Sequence, residues 1–235
     1  MKKYYVTYIL FIALVFINPS DKIYAQTSLF ELGENLVAIS KTDNPDQIVN
    51  LIDPKLDIDN KAKVLESFLQ VKESLFNVVD LKHIDLFNVV KQKDFVYFIV
   101  SYKNKFYIIK SKVNDNNQIT EHFALINSKT NEMLSAGQKI YKTRCYACHG
   151  KFGKGSIGPN LTDNYWKYVN NDTELYDVIS NGKKGTMMIA YKDYLKPDEI
   201  KAVTLYIKAI KGKKVSSGKK PEGKKQNIPF NIINF

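Results

Sequence analysis

The 235-residue chain is poor in cysteine, with only Cys145 and Cys148. Two thiols in one short motif exclude a disulfide-stapled scaffold and point to local chemistry. The chain also lacks an uninterrupted apolar run of the ~20 residues that a membrane-spanning helix needs. Base-reading side chains interleaved with a basic face are missing too, although the net charge is +11. Most of that charge comes late: residues 127–210 carry +5 and residues 211–235 carry +6, against −2 in residues 26–126. The basic tail has lysine without arginine or regular aromatics, which argues against nucleic acid as a partner. No internal repeat relates the two halves. Apolar residues make up 44% and charged residues 25%, globular values that exclude wholesale disorder.

Residues 1–25 read as a signal peptide. Lys2 and Lys3 precede the apolar run Tyr4 to Ile17, Asn18-Pro19-Ser20 break it, and Ile23-Tyr24-Ala25 resembles a small-residue cleavage site. An uncleaved membrane anchor is the alternative. Either reading places the rest of the chain in the periplasm or elsewhere outside the cytoplasm. No Cys stands at the cleavage point, so a lipid anchor is not indicated.

Two domains are expected after the signal. Residues 26–126 read as an α+β domain of unknown function. Leu29, Leu32, Leu36 and Ile39 recur at helical spacing, and Asn44-Pro45-Asp46 can open a second short helix. Asp59 is the expected cap of a third, with Ala62, Leu65, Phe68, Leu69, Leu75 and Phe76 as its apolar stripe. The period then changes. Runs over 83–90, 94–102, 105–113 and 118–126 are rich in Phe, Tyr, Ile and Val, and short turn clusters separate them. They predict a four-stranded antiparallel meander. This element order resembles the cystatin-like and NTF2-like group of small domains. His83 and His122 each stand alone on a predicted strand, with no second ligand at metal spacing, so both read as structural.

A polar linker is expected at 127–132, an all-α domain at 133–212 and a basic flexible tail at 213–235. The chemistry sits in Cys145-Tyr146-Ala147-Cys148-His149. Cys-x-x-Cys-His is the attachment pattern for c-type haem. Thiols three positions apart share one face of a helical turn and can bond to two vinyl groups of one porphyrin. The next residue, His149, can then serve as proximal iron ligand. A thiol–disulfide pair is the competing reading. It expects a βαβ context and gives His149 no role, and here the motif follows a predicted helix, Leu134 to Thr143.

A second axial ligand is expected downstream. Met187 and Met188 lie 38 and 39 residues after His149, in the glycine-flanked loop Gly182 to Tyr191. Met188, with the aromatic Tyr191 three residues on, fits the ligand position, and Met187 is the fallback. Gly137 and Tyr141 stand one turn apart on the helix before the motif, and the small residue permits close approach of another helix. Asn171-Asp172 can cap a helix ending at Gly182. Pro197, Asp198 and Glu199 open another, with Ile200, Val203, Tyr206, Ile207 and Ile210 as its buried stripe and Gly212 as its stop.

Residues 133–212 resemble a monohaem cytochrome c domain. The likeness is to the C-terminal haem domain of the dihaem subunit (subunit III) of cbb3-type terminal oxidases. Cys145 to Gly150, Gly158-Pro159-Asn160-Leu161-Thr162-Asp163-Asn164-Tyr165-Trp166 and Met188-Ile189-Ala190-Tyr191-Lys192-Asp193 carry it. The resemblance implies that the Pro159 carbonyl accepts a hydrogen bond from the His149 ring. The chain departs from that subunit in having one haem motif instead of two, and Ile189 where a proline usually follows the ligand Met.

The expected cofactor is one covalent haem c, bound through Cys145, Cys148, His149 and Met188, with Pro159 and Tyr191 beside it. With both axial positions filled, the expected role is one-electron transfer and not catalysis. The expected partner is a redox protein, and the resemblance implies a membrane terminal oxidase. Lys151, Lys154, Lys183, Lys184 and Lys192 are placed to steer an acidic one. The tail could touch an anionic membrane surface. Two alternatives stay open: a haem-based gas or redox sensor with a displaceable Met188, and an accessory haem subunit docked to a respiratory complex by its N-terminal domain.

Overall fold

A computed structural model describes residues 29–42, 45–77, 79–92, 94–213 and 215–226. The expected signal peptide and residues 227–235 of the expected tail lie outside them. The chain divides into two compact units, Met1–Lys103 with Tyr107–Ile126, and Asn104–Phe106 with Asn127–Phe235. No helix among the described residues is long and apolar enough to cross a membrane.

The first unit is a helical layer on an antiparallel sheet. Helix α1 (Leu29–Ser40) precedes a 3-10 turn (Pro45–Leu51) and helix α2 (Ile58–Phe76). Strands β1 (Asp85–Gln92), β2 (Phe95–Tyr102), β3 (Lys105–Lys112) and β4 (Ala124–Leu125) hydrogen-bond in the order β1-β2-β3-β4. Helix α1 reaches the sheet through Gly33, where a Cβ would come within 2.6 Å of Val89 Cγ2. Leu32, Leu36, Val64, Leu65, Phe68, Leu75, Val96 and Phe98 belong to the resulting core cluster. Lys103 and Asn104, both at positive φ, make the two-residue turn between β2 and β3, as a tight hairpin of right-twisted strands requires.

Three expectations for this unit change. Asp57, not Asp59, caps α2: its extended backbone lets the carboxylate accept from Asn60 N at 2.8 Å, whereas Asp59 already lies in the first turn. The fourth strand is much shorter than 118–126. Asn114 Oδ1 takes the Asn116 and Gln118 N–H groups in a turn. Ile119 then spends its backbone bonds on Leu51 and Asp53, not on β3. Neither histidine is on a strand. His83 ends the short 3-10 turn Leu81–His83, with Nδ1 2.7 Å from Asp80 Oδ2, and His122 is exposed in irregular backbone before β4.

The second unit is helical. Helix α3 (Ser128–Ile140) runs into a single wide turn (Tyr141–Cys145) and then the short helix α4 (Tyr146–His149). Helix α5 (Asp172–Asn181) and helix α6 (Pro197–Ile210) follow. The expected linker 127–132 is instead the start of α3, because Asn127 Oδ1 accepts from Thr130 N at 2.9 Å and caps it. Polar residues at a helix start resemble a linker by composition alone. Helix α3 crosses α6 at Gly137, where a Cβ would collide with the Ala202 carbonyl oxygen. The tail is not loose over its described part. Lys224–Lys225 (β6) pairs antiparallel with Tyr165–Trp166 (β5), and Gly223 packs against the Trp166 carbonyl, which leaves no room for a side chain.

Candidate functional site

The wide turn at Tyr141–Cys145 has its carbonyls reaching one residue further than in an α-helix, a device common at functional sites. It delivers Cys145 buried and Cys148 half-buried on the next helical turn, with neither in a disulfide. Burial, then the neighbouring Cys148, pushes the Cys145 thiol up to about 12. Thiol–disulfide catalysts need the opposite shift, because the thiolate is their nucleophile. A raised thiol pKa thus disfavours the redox-pair reading.

His149 follows, half-buried, and α4 ends at Gly150 with φ of 74°. His149 Nδ1 lies 3.1 Å from the Pro159 carbonyl oxygen. A carbonyl only accepts, so Nδ1 carries the hydrogen and Nε2 keeps its lone pair. Burial lowers the His149 pKa against the raising effect of that bond, and the Lys219 charge lowers it further. The ring is thus held neutral, as a metal-ligating imidazole must be.

The loop after the motif is closed by backbone bonds. Gly155 N donates to His149 O at 2.7 Å and Gly158 N to Cys148 O at 2.8 Å. Gly158 packs against the imidazole, and a Cβ there would fall 2.9 Å from His149 Cε1. From beneath, Tyr141 Oη donates to Gly150 O at 2.9 Å while its ring packs 5.2 Å from that of Tyr206.

The methionine loop comes to the same place. Its ends are tied where Tyr191 N bonds to Ile179 O and Lys183 N to Met188 O. Tyr191 Oη donates to Arg144 O at 2.7 Å, one residue before Cys145. Burial, and after it the charges of Cys145 and Cys148, pushes the Tyr191 phenol up. Met188 is half-buried and its N–H is held by Thr186 Oγ1 at 3.1 Å, whereas Met187 is 74% exposed. The structure thus brings Cys145, Cys148, His149, Pro159 and Tyr191 together and sets Met188 three residues from Tyr191. His83 and His122 belong to the other unit. Among the described residues, no group of three or more His, Cys, Asp or Glu side chains gathers to hold a metal ion.

Trp166 is the residue that sequence reasoning left without a role. It is 7% exposed, and its indole N–H has no partner among the described residues. An unpaired buried donor costs roughly 1–3 kcal/mol, so this position suits an acceptor that the described residues do not supply. A haem carries two carboxylates that would serve. With the free Nε2 of His149, the paired thiols and the glycine against the ring, the residues present fit a covalently attached haem.

Residues 132–207 match the family described as cytochrome c oxidase, cbb3-type, subunit III. A cbb3-type cytochrome c oxidase subunit FixP of Bradyrhizobium sp. (strain ORS 278) is 41% identical over 83 residues, 34% of this chain and 28% of that protein. Cytochrome c-L of Methylorubrum extorquens is 38% identical over 79 residues, 33% of this chain and 40% of that protein. The crystal structure of cytochrome cL from Hyphomicrobium denitrificans is 32% identical with a TM-score of 0.33, covering 35% of this chain and 50% of that one. The chain therefore spans well under half the length of these two curated relatives. Residues 132–207 are a cytochrome c domain, related to subunit III of cbb3-type oxidases and to cytochrome c-L.

Proposed function

We propose that the chain is an exported electron-transfer protein. It carries one haem c on Cys145 and Cys148, with His149 and Met188 as axial ligands. The observation that carries this reading is the His149–Pro159 bond, which leaves Nε2 free on the turn that bears both thiols.

The haem supplies reversible one-electron exchange at its iron. The remaining work is done by this chain. Cys145 and Cys148 would hold the haem covalently, each by addition of its S–H across one vinyl double bond, which leaves no by-product. Pro159 holds the imidazole in one tautomer and one orientation, as second-shell acceptors do. Thr186 and Lys183 hold the backbone at Met188, so little loop freedom is lost when its sulfur is engaged. That tethering runs against the sensor reading, which needs Met188 to leave readily. Trp166 provides a buried donor for a haem carboxylate.

Lys151, Lys184 and Lys192 are exposed around the motif and the methionine loop, and would speed encounter with an acidic redox partner. The relatives make a terminal oxidase the first partner to try. The test is a haem-stained gel and a reduced-minus-oxidised spectrum, on protein made in a host that matures c-type cytochromes. Covalent haem is expected, with a thioether-ligation band that Met188→Ala abolishes and Met187→Ala leaves. Ready CO binding by the unmutated reduced protein would replace this reading with the sensor. Absence of covalent haem would sink both.

A further inference from the structure

The matched domain ends at residue 207, yet the chain adds a segment that returns to the haem-binding loop. Lys219 is the centre of that return. Its backbone N–H donates to Lys154 O at 2.7 Å, and its carbonyl accepts from Asn160 Nδ2 at 3.2 Å. Its Cβ sits where Gly155, at φ of 85°, has none of its own: a Cβ there would be 2.7 Å away. Asn160 is held in turn, because its Oδ1 accepts from both the N–H and the hydroxyl of Thr162 at 2.8 Å. The strap is thus latched on both sides of the loop that carries Pro159.

The Lys219 ammonium reaches inward. Nζ donates to Ile157 O at 3.2 Å and lies 3.5 Å from Gly158 O, with the side chain 36% exposed. Gly158 packs on the His149 ring, and the next residue supplies the carbonyl that orients it. On its far side the same ammonium is 2.6 Å from Glu222 Oε1, and Glu222 Oε2 is 3.0 Å from Lys167 Nζ. A positive charge is therefore parked behind the proximal histidine by backbone carbonyls, and a carboxylate partly offsets it.

We propose that Lys219 is a positioning residue for His149 and sets the reduction potential of the bound haem, with Glu222 as its counterweight. The proposal rests on His149 being the proximal ligand. A cation near the ring destabilises the more positive oxidised state, so its field raises the potential, and neutralising its carboxylate partner raises it further. The charge of Lys219 already figures among the influences on the imidazole. A merely structural latch behaves differently: loosening the loop from either side moves the potential in one direction for both residues.

The test compares redox titrations of the holoprotein and of Lys219→Gln, Lys219→Arg and Glu222→Gln, each checked first for covalent haem. A downward shift for Lys219→Gln, an upward shift for Glu222→Gln and little change for Lys219→Arg are expected. Shifts of the same sign for the two neutral variants, or no shift in either, overturn the proposal. Should Lys219→Gln fail to load haem, Glu222→Gln decides alone: a raised potential supports the proposal, and an unchanged or lowered one overturns it. An unmutated protein without covalent haem removes the underlying ligand assignment, which is a separate failure. A haem-loaded protein with unmoved potentials removes only the role of Lys219.

Discussion

The two units use polar side chains to different ends. In the first, such groups close turns and stitch a helix to the sheet region over a hydrocarbon core. Ser67 Oγ accepts from Phe123 N at 2.8 Å and donates to Val64 O at 2.7 Å, while Asn114 builds the turn before Ile119. In the second, single long-range bonds hold irregular backbone around one short motif: Tyr141 to Gly150, His149 to Pro159, and Tyr191 to Arg144. Loss of a bond in the first unit wets or loosens a core. In the second unit it would misplace a proposed haem ligand. Substitutions in the first unit should therefore be read in stability, and those in the second in the spectrum.

His149→Ala tests the second half of that contrast most severely. It should abolish the low-spin haem spectrum altogether, checked by absorbance and haem staining, even where the polypeptide is secreted at normal yield. Phe98→Ala tests the first half. Phe98 is 1% exposed and packs 6.5 Å from the Phe123 ring, so truncation should cost ~3–5 kcal/mol in urea unfolding. The haem spectrum below the transition should not change, and a changed one would blur the distinction between the units.

Tyr141→Phe is a finer probe. It leaves the buried Gly150 carbonyl without its donor, and about 1–3 kcal/mol should be lost in the thermal unfolding of the haem signal. The smallest effect should come from acid. Hydrogen bonds from the Asn60 backbone and side chain hold the Asp57 carboxyl below its ordinary value of 3.8. A depressed pKa stabilises the fold above the unfolded value, and the contribution is lost as pH falls through the folded one. Asp57→Asn should therefore forfeit that small contribution at neutrality and flatten the stability profile below about pH 4, where the two proteins converge.

Local patterns were legible in the sequence, and non-local closures were not. The spacing of Leu32, Leu36 and Ile39 predicts α1, and all three are buried. Pro197 and Gly212 bracket α6, with Glu199 Oε2 taking the Lys196 N–H at 2.8 Å. The Cys145-to-His149 pattern is local too, so it announced its own chemistry. By contrast, the 118–126 run has strand composition, yet Ile119 bonds Leu51 and Asp53, far back in the chain, and only Ala124–Leu125 form a strand against β3. The lysine-rich tail has the composition of a flexible segment, yet its backbone finds Tyr165 and Trp166. Composition carries propensity but not the identity of a distant partner. Trp166 was visible within a family-like run, while its unpaired indole N–H became apparent only with burial.

The latch at Lys219 also imposes an order on biogenesis. Lys219 lies 62 positions beyond Ile157, so synthesis delivers the Cys145–His149 turn before the segment that clasps the loop behind it. Closing so long a loop is slow compared with forming the local turn. The turn that bears the two thiols can therefore form while the loop behind it is still unclasped.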